Sequence, residues 1–91
     1  MEFEWDERKR LANIDKDGFD FIDVWELFAG DHIRASANPG PDGEQRFLAT
    51  GLIQGIRATV IGTMRDGLTH VISLRRARTN ERKQYQALLG G

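Results

Sequence analysis

Glu2-Phe3-Glu4-Trp5 alternates acidic and aromatic residues with period two, which predicts a short strand with Phe3 and Trp5 on one face. A helix is expected next: Asp6 is a good N-cap, Glu7 suits the positive end of the helix dipole, and Gly18 supplies a left-handed residue to end it. Leu11 and Ile14, three apart, give this helix a narrow apolar stripe. Phe21, Val24, Trp25 and Phe28 then recur at the offsets of a buried helix face, with Asp20 as cap and Gly30 as terminator. That spacing reads as core packing, not as an exposed platform for stacking bases.

Residues 32–37 predict a strand, and Asn38-Pro39-Gly40-Pro41-Asp42-Gly43 predicts a loop, because two prolines and two glycines resist regular pairing. Three further strands are expected at about 45–53, 56–64 and 68–75, joined by tight turns at Gln54-Gly55 and Asp66-Gly67 that make neighbours antiparallel. A last helix covers roughly 80–89, with Tyr85, Leu88 and Leu89 as its apolar contacts. The expected class is therefore α+β: two N-terminal helices, an antiparallel sheet of three or more strands, and a C-terminal helix.

At 91 residues this is a single domain, 1–91, with a modest core. It has no cysteine, so neither a disulfide framework nor a thiolate zinc site is available, which fits the cytoplasm. The mixed, acidic start predicts no signal peptide, and no apolar run nears the ~20 residues of a membrane span, so a soluble protein is expected. The net charge of −1 conceals a division: residues 1–45 carry −7 and residues 46–91 carry +6. A basic half of that kind can face a polyanion, although an uneven scatter of solvated charges would give the same count.

The densest group of chemically capable side chains lies between Arg65 and Tyr85. Guanidinium groups bind phosphate through forked hydrogen bonds and stabilise the extra negative charge of a phosphoryl transition state. They are poor proton acceptors, which leaves acid–base work to Glu81, Tyr85 or Lys9. Glu81 and Tyr85, four apart, share a helix face, and Arg75 ends the strand that feeds that helix. The bland reading is a solvated basic helix with Tyr85 in the core. A two-residue turn at Asp66-Gly67 pairs Arg65 with Leu68 and puts Arg65 and Arg75 on opposite faces. A three-residue loop pairs Arg65 with Thr69 and Thr59 with Arg75, placing both on one face; this register is preferred. His32 and His70 have no ligand spacing, so neither a metal site nor a cofactor is expected.

Trp5, Asp6, Lys9, Asn13, Lys16, Gly18 and Phe21, then Glu44, Arg46, Phe47, Gly51, Thr63 and Arg65, then Ile72, Ser73, Arg75, Ala77, Glu81, Arg82 and Tyr85 follow one another in the pattern of a known family. On these positions, spread over nearly the whole chain, the sequence resembles the BrnT toxins. The resemblance implies a RelE-like fold and an RNA-cleaving toxin that stops translation. It also implies a ribbon-helix-helix antitoxin as partner, through which the pair represses its own operon by binding operator DNA. Asp17 stands where the family usually has histidine, and Arg78 where Ser or Thr would cap the last helix.

The function expected from residues and resemblance together is metal-independent endoribonuclease action by 2′-hydroxyl attack. Arg65, Arg75, Glu81 and Tyr85 are its catalytic candidates, and Lys9, Arg76 and Arg82 its RNA-binding candidates. A non-catalytic RNA- or partner-binding module, or a corepressor scaffold acting with the antitoxin, would use nearly the same residues.

Overall fold

A computed structural model describes residues 1–90 as β1 (Phe3–Trp5), α1 (Glu7–Asp17), a 3-10 turn (Phe21–Asp23), α2 (Val24–Ala29), β2 (Ile33–Ala37), β3 (Arg46–Ile53), β4 (Ile56–Arg65), β5 (Leu68–Arg76) and α3 (Thr79–Leu89). The five strands form one sheet in the order β1-β5-β4-β3-β2, with β1 parallel to β5 and every other pair antiparallel. This corrects the expected architecture. The chain does not begin with a helical pair followed by an antiparallel sheet, as the expected RelE-like arrangement has it: a strand comes first and makes the sheet mixed. The physical reason lies in the aromatic stripe of β1. Phe3 stacks on Phe28 at 5.5 Å and Trp5 meets Phe21 edge-on at 6.2 Å, so those rings are covered only if the strand lies along the free edge of β5.

α1 begins as expected, with Asp6 Oδ1 accepting from the N–H groups of Arg8 and Lys9, and it ends at Gly18 with φ 76°. Its buried residue, however, is Asn13, while Leu11 is 54% exposed. The Asn13 amide donates to the Leu74 and Phe19 carbonyls and its Oδ1 accepts from the Leu74 N–H, thereby satisfying β5 where β1 no longer accompanies it. The core between these helices and the sheet holds Phe21, Val24, Leu27, Ala49, Val60, Val71 and Leu74. Trp25, expected inside, is 59% exposed, because the chain winds as a 3-10 turn before α2 and rotates Leu27 inward instead.

α3 lies on the opposite face of the sheet. It buries Glu81 and Tyr85, whereas Leu88, expected as a contact, is 72% exposed beyond the part of the helix that meets the sheet. The β4–β5 turn has the two residues Asp66 and Gly67, both at positive φ, and Arg65 pairs with Leu68. The three-residue loop preferred from the sequence does not form. A register shift between Ile61 and Gly62 nevertheless pairs Ile61 with Ser73 and Gly62 with Val71, leaving Ile72 as an extra residue. Without this bulge Arg75 would lie opposite Ala58 and point into the core. With it, Arg75 faces Thr59 on the α3 side. Gly62 permits the close approach, since a Cβ there would stand 3.0 Å from the His70 carbonyl oxygen.

Candidate phosphate-binding recess

The bulge brings Arg75 to the first turn of α3, where Glu81 occupies the third helical position. Glu81 reaches back to accept from the Arg78 N–H at 2.8 Å, which forms half of a capping box although Arg78 has no oxygen to complete the other half. Arg75 clasps the same carboxylate through two bonds, Nη1 to Oε1 at 2.8 Å and Nη2 to Oε2 at 2.9 Å. Thr59 donates to Oε1 at 2.9 Å, and its hydroxyl also meets that of Thr50 at 2.8 Å. Glu81 is thus held by a strand arginine, a buried hydroxyl and a helix-capping amide. These donors, led by Arg75, hold its carboxyl down to about 2, against the opposing effect of burial. The Arg75 guanidinium is correspondingly raised, chiefly by its bonds to Glu81.

Arg75, Glu81, Arg78 and Asn80 form one wall of a recess of about 400 Å³; Arg46, Leu48 and Asn38 form the other. Three guanidinium groups against one carboxylate leave it cationic. The 38–45 loop folds down over Arg46. The Gly40 N–H donates to the Glu44 carbonyl at 2.8 Å, and a Cβ at Gly40 would lie 3.0 Å from Arg46 Nη2. Arg46 Nε is buried without a hydrogen-bond partner among the described residues, and the nearest carboxylate oxygen, Oε1 of Glu44, stands 3.8 Å away. This arrangement can hold a phosphodiester by charge and forked donors.

The other candidates lie elsewhere. Arg65 shares the α3-side face with Arg75 but is separated from it by six residues along β4, roughly 20 Å at strand rise. Its guanidinium pairs with Glu44 at 2.8 Å and so anchors the loop over Arg46. Tyr85 is buried with its ring 5.7 Å from the Arg57 guanidinium, and it does not line the recess. Lys9 is exposed on α1. Arg76 and Arg82 line a second, smaller recess of about 220 Å³ with Arg57, Gly55 and Ile56. Arg82 also bonds the Ala77 carbonyl and the Thr79 hydroxyl. Among the described residues, no group of three or more His, Cys, Asp or Glu side chains gathers to hold a metal ion, and no helix is long and apolar enough to cross a membrane.

Sequence reasoning did not single out Arg46, Thr59, Arg78 and Asn80 as site residues. Thr59 was accessible as the cross-strand partner of Arg75 in one register. Arg46 is among the positions that carry the family resemblance, but only the tertiary approach of the loop makes it part of a wall.

A small α+β domain with a guanidinium-lined hollow on its surface has the chemistry to take an anion. Comparison with protein families makes this specific: the family model described as ribonuclease toxin, BrnT, of type II toxin-antitoxin system matches residues 5–81. The chain belongs to the BrnT family of ribonuclease toxins. No curated protein compared with it gives a match. An antitoxin protein is accordingly implied as partner.

Proposed function

We propose that the chain cleaves RNA without a metal ion, with the scissile phosphate seated in the recess of Arg75, Arg46 and Arg78. The 2′-hydroxyl oxygen bonds to phosphorus, the P–O5′ bond breaks, solvent takes the 2′ proton and supplies one to the leaving 5′ oxygen. The arginines stabilise the charge that accumulates on the phosphoryl oxygens, the role a divalent cation has in other nucleases. Glu81 stays ionised and holds Arg75 in place. Tyr85, buried one helical turn after Glu81 with its ring beside Arg57, anchors α3 on the sheet, and Arg65 keeps the loop over Arg46. Arg76 and Arg82, with Lys9 further away, contact the RNA backbone outside the cleavage point. Cleavage of messages in the cytoplasm stops translation, and a ribbon-helix-helix antitoxin neutralises the toxin.

The observation that carries this reading is the two-bond Arg75–Glu81 clasp at the edge of a cationic recess. The test is incubation of the purified chain with single-stranded RNA in EDTA, alongside Arg75→Ala. Cleavage by the wild type and its loss in the variant are expected. RNA retained equally by both and cut by neither would replace the enzyme with a binding module.

A further inference from the structure

Beside the arginine recess, between the edge strand β2 and α3, lies a separate cleft of about 170 Å³. Its floor is largely apolar, made by Ile33, Ala35 and Leu48 with Thr50, whose hydroxyl is bonded to Thr59, and Arg34 also lines the cleft. Asn80 and Gln84 stand along its α3 side, four residues apart and therefore on one helix face, and both are exposed. Leu48, Asn80 and Glu81 line this cleft and the recess alike, so the two are contiguous.

We propose that this cleft receives one pyrimidine base of the RNA, next to the phosphate held in the recess, and that Asn80 and Gln84 read its edge. The inference rests on the phosphate-seating reading given above. Size argues for a single ring: a cavity of about 150 Å³ accepts benzene, and a purine needs considerably more room. Chemistry argues for a base rather than an aliphatic group. A largely apolar floor matches the face of a base, while each side-chain amide offers donors and an acceptor to the hydrogen-bonding edge of a splayed nucleotide. Contiguity argues for the same RNA strand, because a base and its own phosphate are joined through one ribose. The cleft would thereby set where along an RNA the chain acts, leaving the arginines to engage any phosphate.

Binding can be read without cleavage by using 2′-O-methyl trinucleotides, which lack the attacking hydroxyl. Titration calorimetry of the whole chain with U, C and A trinucleotides is expected to give about tenfold tighter binding of U or C than of A. Gln84→Ala should level the three affinities, and Ala35→Leu, which fills the floor, should do the same; circular dichroism confirms that each variant is folded. Equal affinities in the wild type, no binding of any trinucleotide, or a preference that survives both substitutions overturns the proposal. The two readings separate cleanly. Cleavage of ordinary RNA without base preference removes the cleft and leaves the nuclease, whereas pyrimidine preference without cleavage removes the nuclease and leaves the cleft.

Discussion

Thr59 and Glu81 are joined by a 2.9 Å hydrogen bond that ties the middle of β4 to the first turn of α3. The hydroxyl is fully buried and linked in turn to Thr50, so the helix carrying Glu81 is located by a polar chain inside an otherwise apolar layer. Such a chain stabilises only when every member is satisfied. Thr59→Val keeps the shape but leaves the buried Thr50 hydroxyl without its partner and removes one of the three donors to Glu81 Oε1. A loss of about 1–2 kcal/mol is expected, seen as a Tm lower by roughly 4–15 °C. An unchanged thermal melt would show that the chain contributes nothing net.

The clasp between Arg75 and Glu81 predicts an acid-sensitive component of stability. The Glu81 carboxyl is lowered from its ordinary 4.5 to about 2, so the folded state favours its charged form. The contribution is complete above about pH 4.5 and disappears as pH falls through 2, amounting to about 2 kcal/mol once solvent screening is allowed for. In urea titrations at several pH values, Glu81→Gln should be less stable at neutral pH and should lose less between pH 4.5 and 2 than the wild type does. Parallel acid limbs for the two proteins would place the sensitivity elsewhere.

Arg75→Lys offers a sharper comparison than removal of the side chain. Lysine keeps the positive charge but has no fork, so it cannot hold both Glu81 oxygens while facing a phosphate. Cleavage should fall by roughly 10²–10³-fold, expressed mainly in kcat, since loss of a transition-state donor costs that much in other enzymes. Full activity in Arg75→Lys would mean that charge alone suffices.

Arg65→Ala should act at a distance. The side chain is 47% exposed and touches Glu44 rather than the recess, so its removal loosens the loop above Arg46. A decrease of roughly tenfold or less, carried by KM, is expected, because exposed ion pairs are weak anchors. A collapse of kcat equal to that of Arg75→Ala would place Arg65 at the reacting phosphate instead.

Asn13→Ala removes the only side chain that bonds both backbone groups of Leu74 among the described residues. Two buried main-chain groups would be left unpaired, with an expected cost of about 2–4 kcal/mol. Hydrogen exchange at the Leu74 amide gives a local readout: protection there should fall more than at Val60.

The strands from β3 to β5 and the last helix were legible because their signals are local: alternation, Gly-containing turns and a short capping segment. The place of β1 was not, since nothing in Phe3 or Trp5 specifies a partner 66 residues away. Burial in α1 inverted for a related reason. Leu11 looks like the inward residue by hydropathy, yet the exposed backbone of Leu74 needs an amide, and Asn13 supplies it. At the site, Arg75 and Glu81 are recognisable as neighbours, and the common sheet face of Arg65 and Arg75 is expected from a loop of the wrong length. The bulge at Ile72 produces the same outcome by a different route, and a single extra strand residue leaves no mark in composition. For Glu81 the sequence shows the carboxyl but not the four hydrogen bonds donated to it, since three of the four come from Arg75 and Thr59 on the sheet.

The pairing of β1 with β5 also bears on how the chain matures during synthesis. Thr69 and Val71 must emerge from the ribosome before residues 3–5 can find their strand partners, and Glu81 must emerge before Arg75 has a clasp. The β1–β5 contacts, 66 residues apart in sequence, form late. A nascent chain therefore carries no assembled recess until Glu81 has been translated, and a product truncated before it lacks the Arg75 clasp.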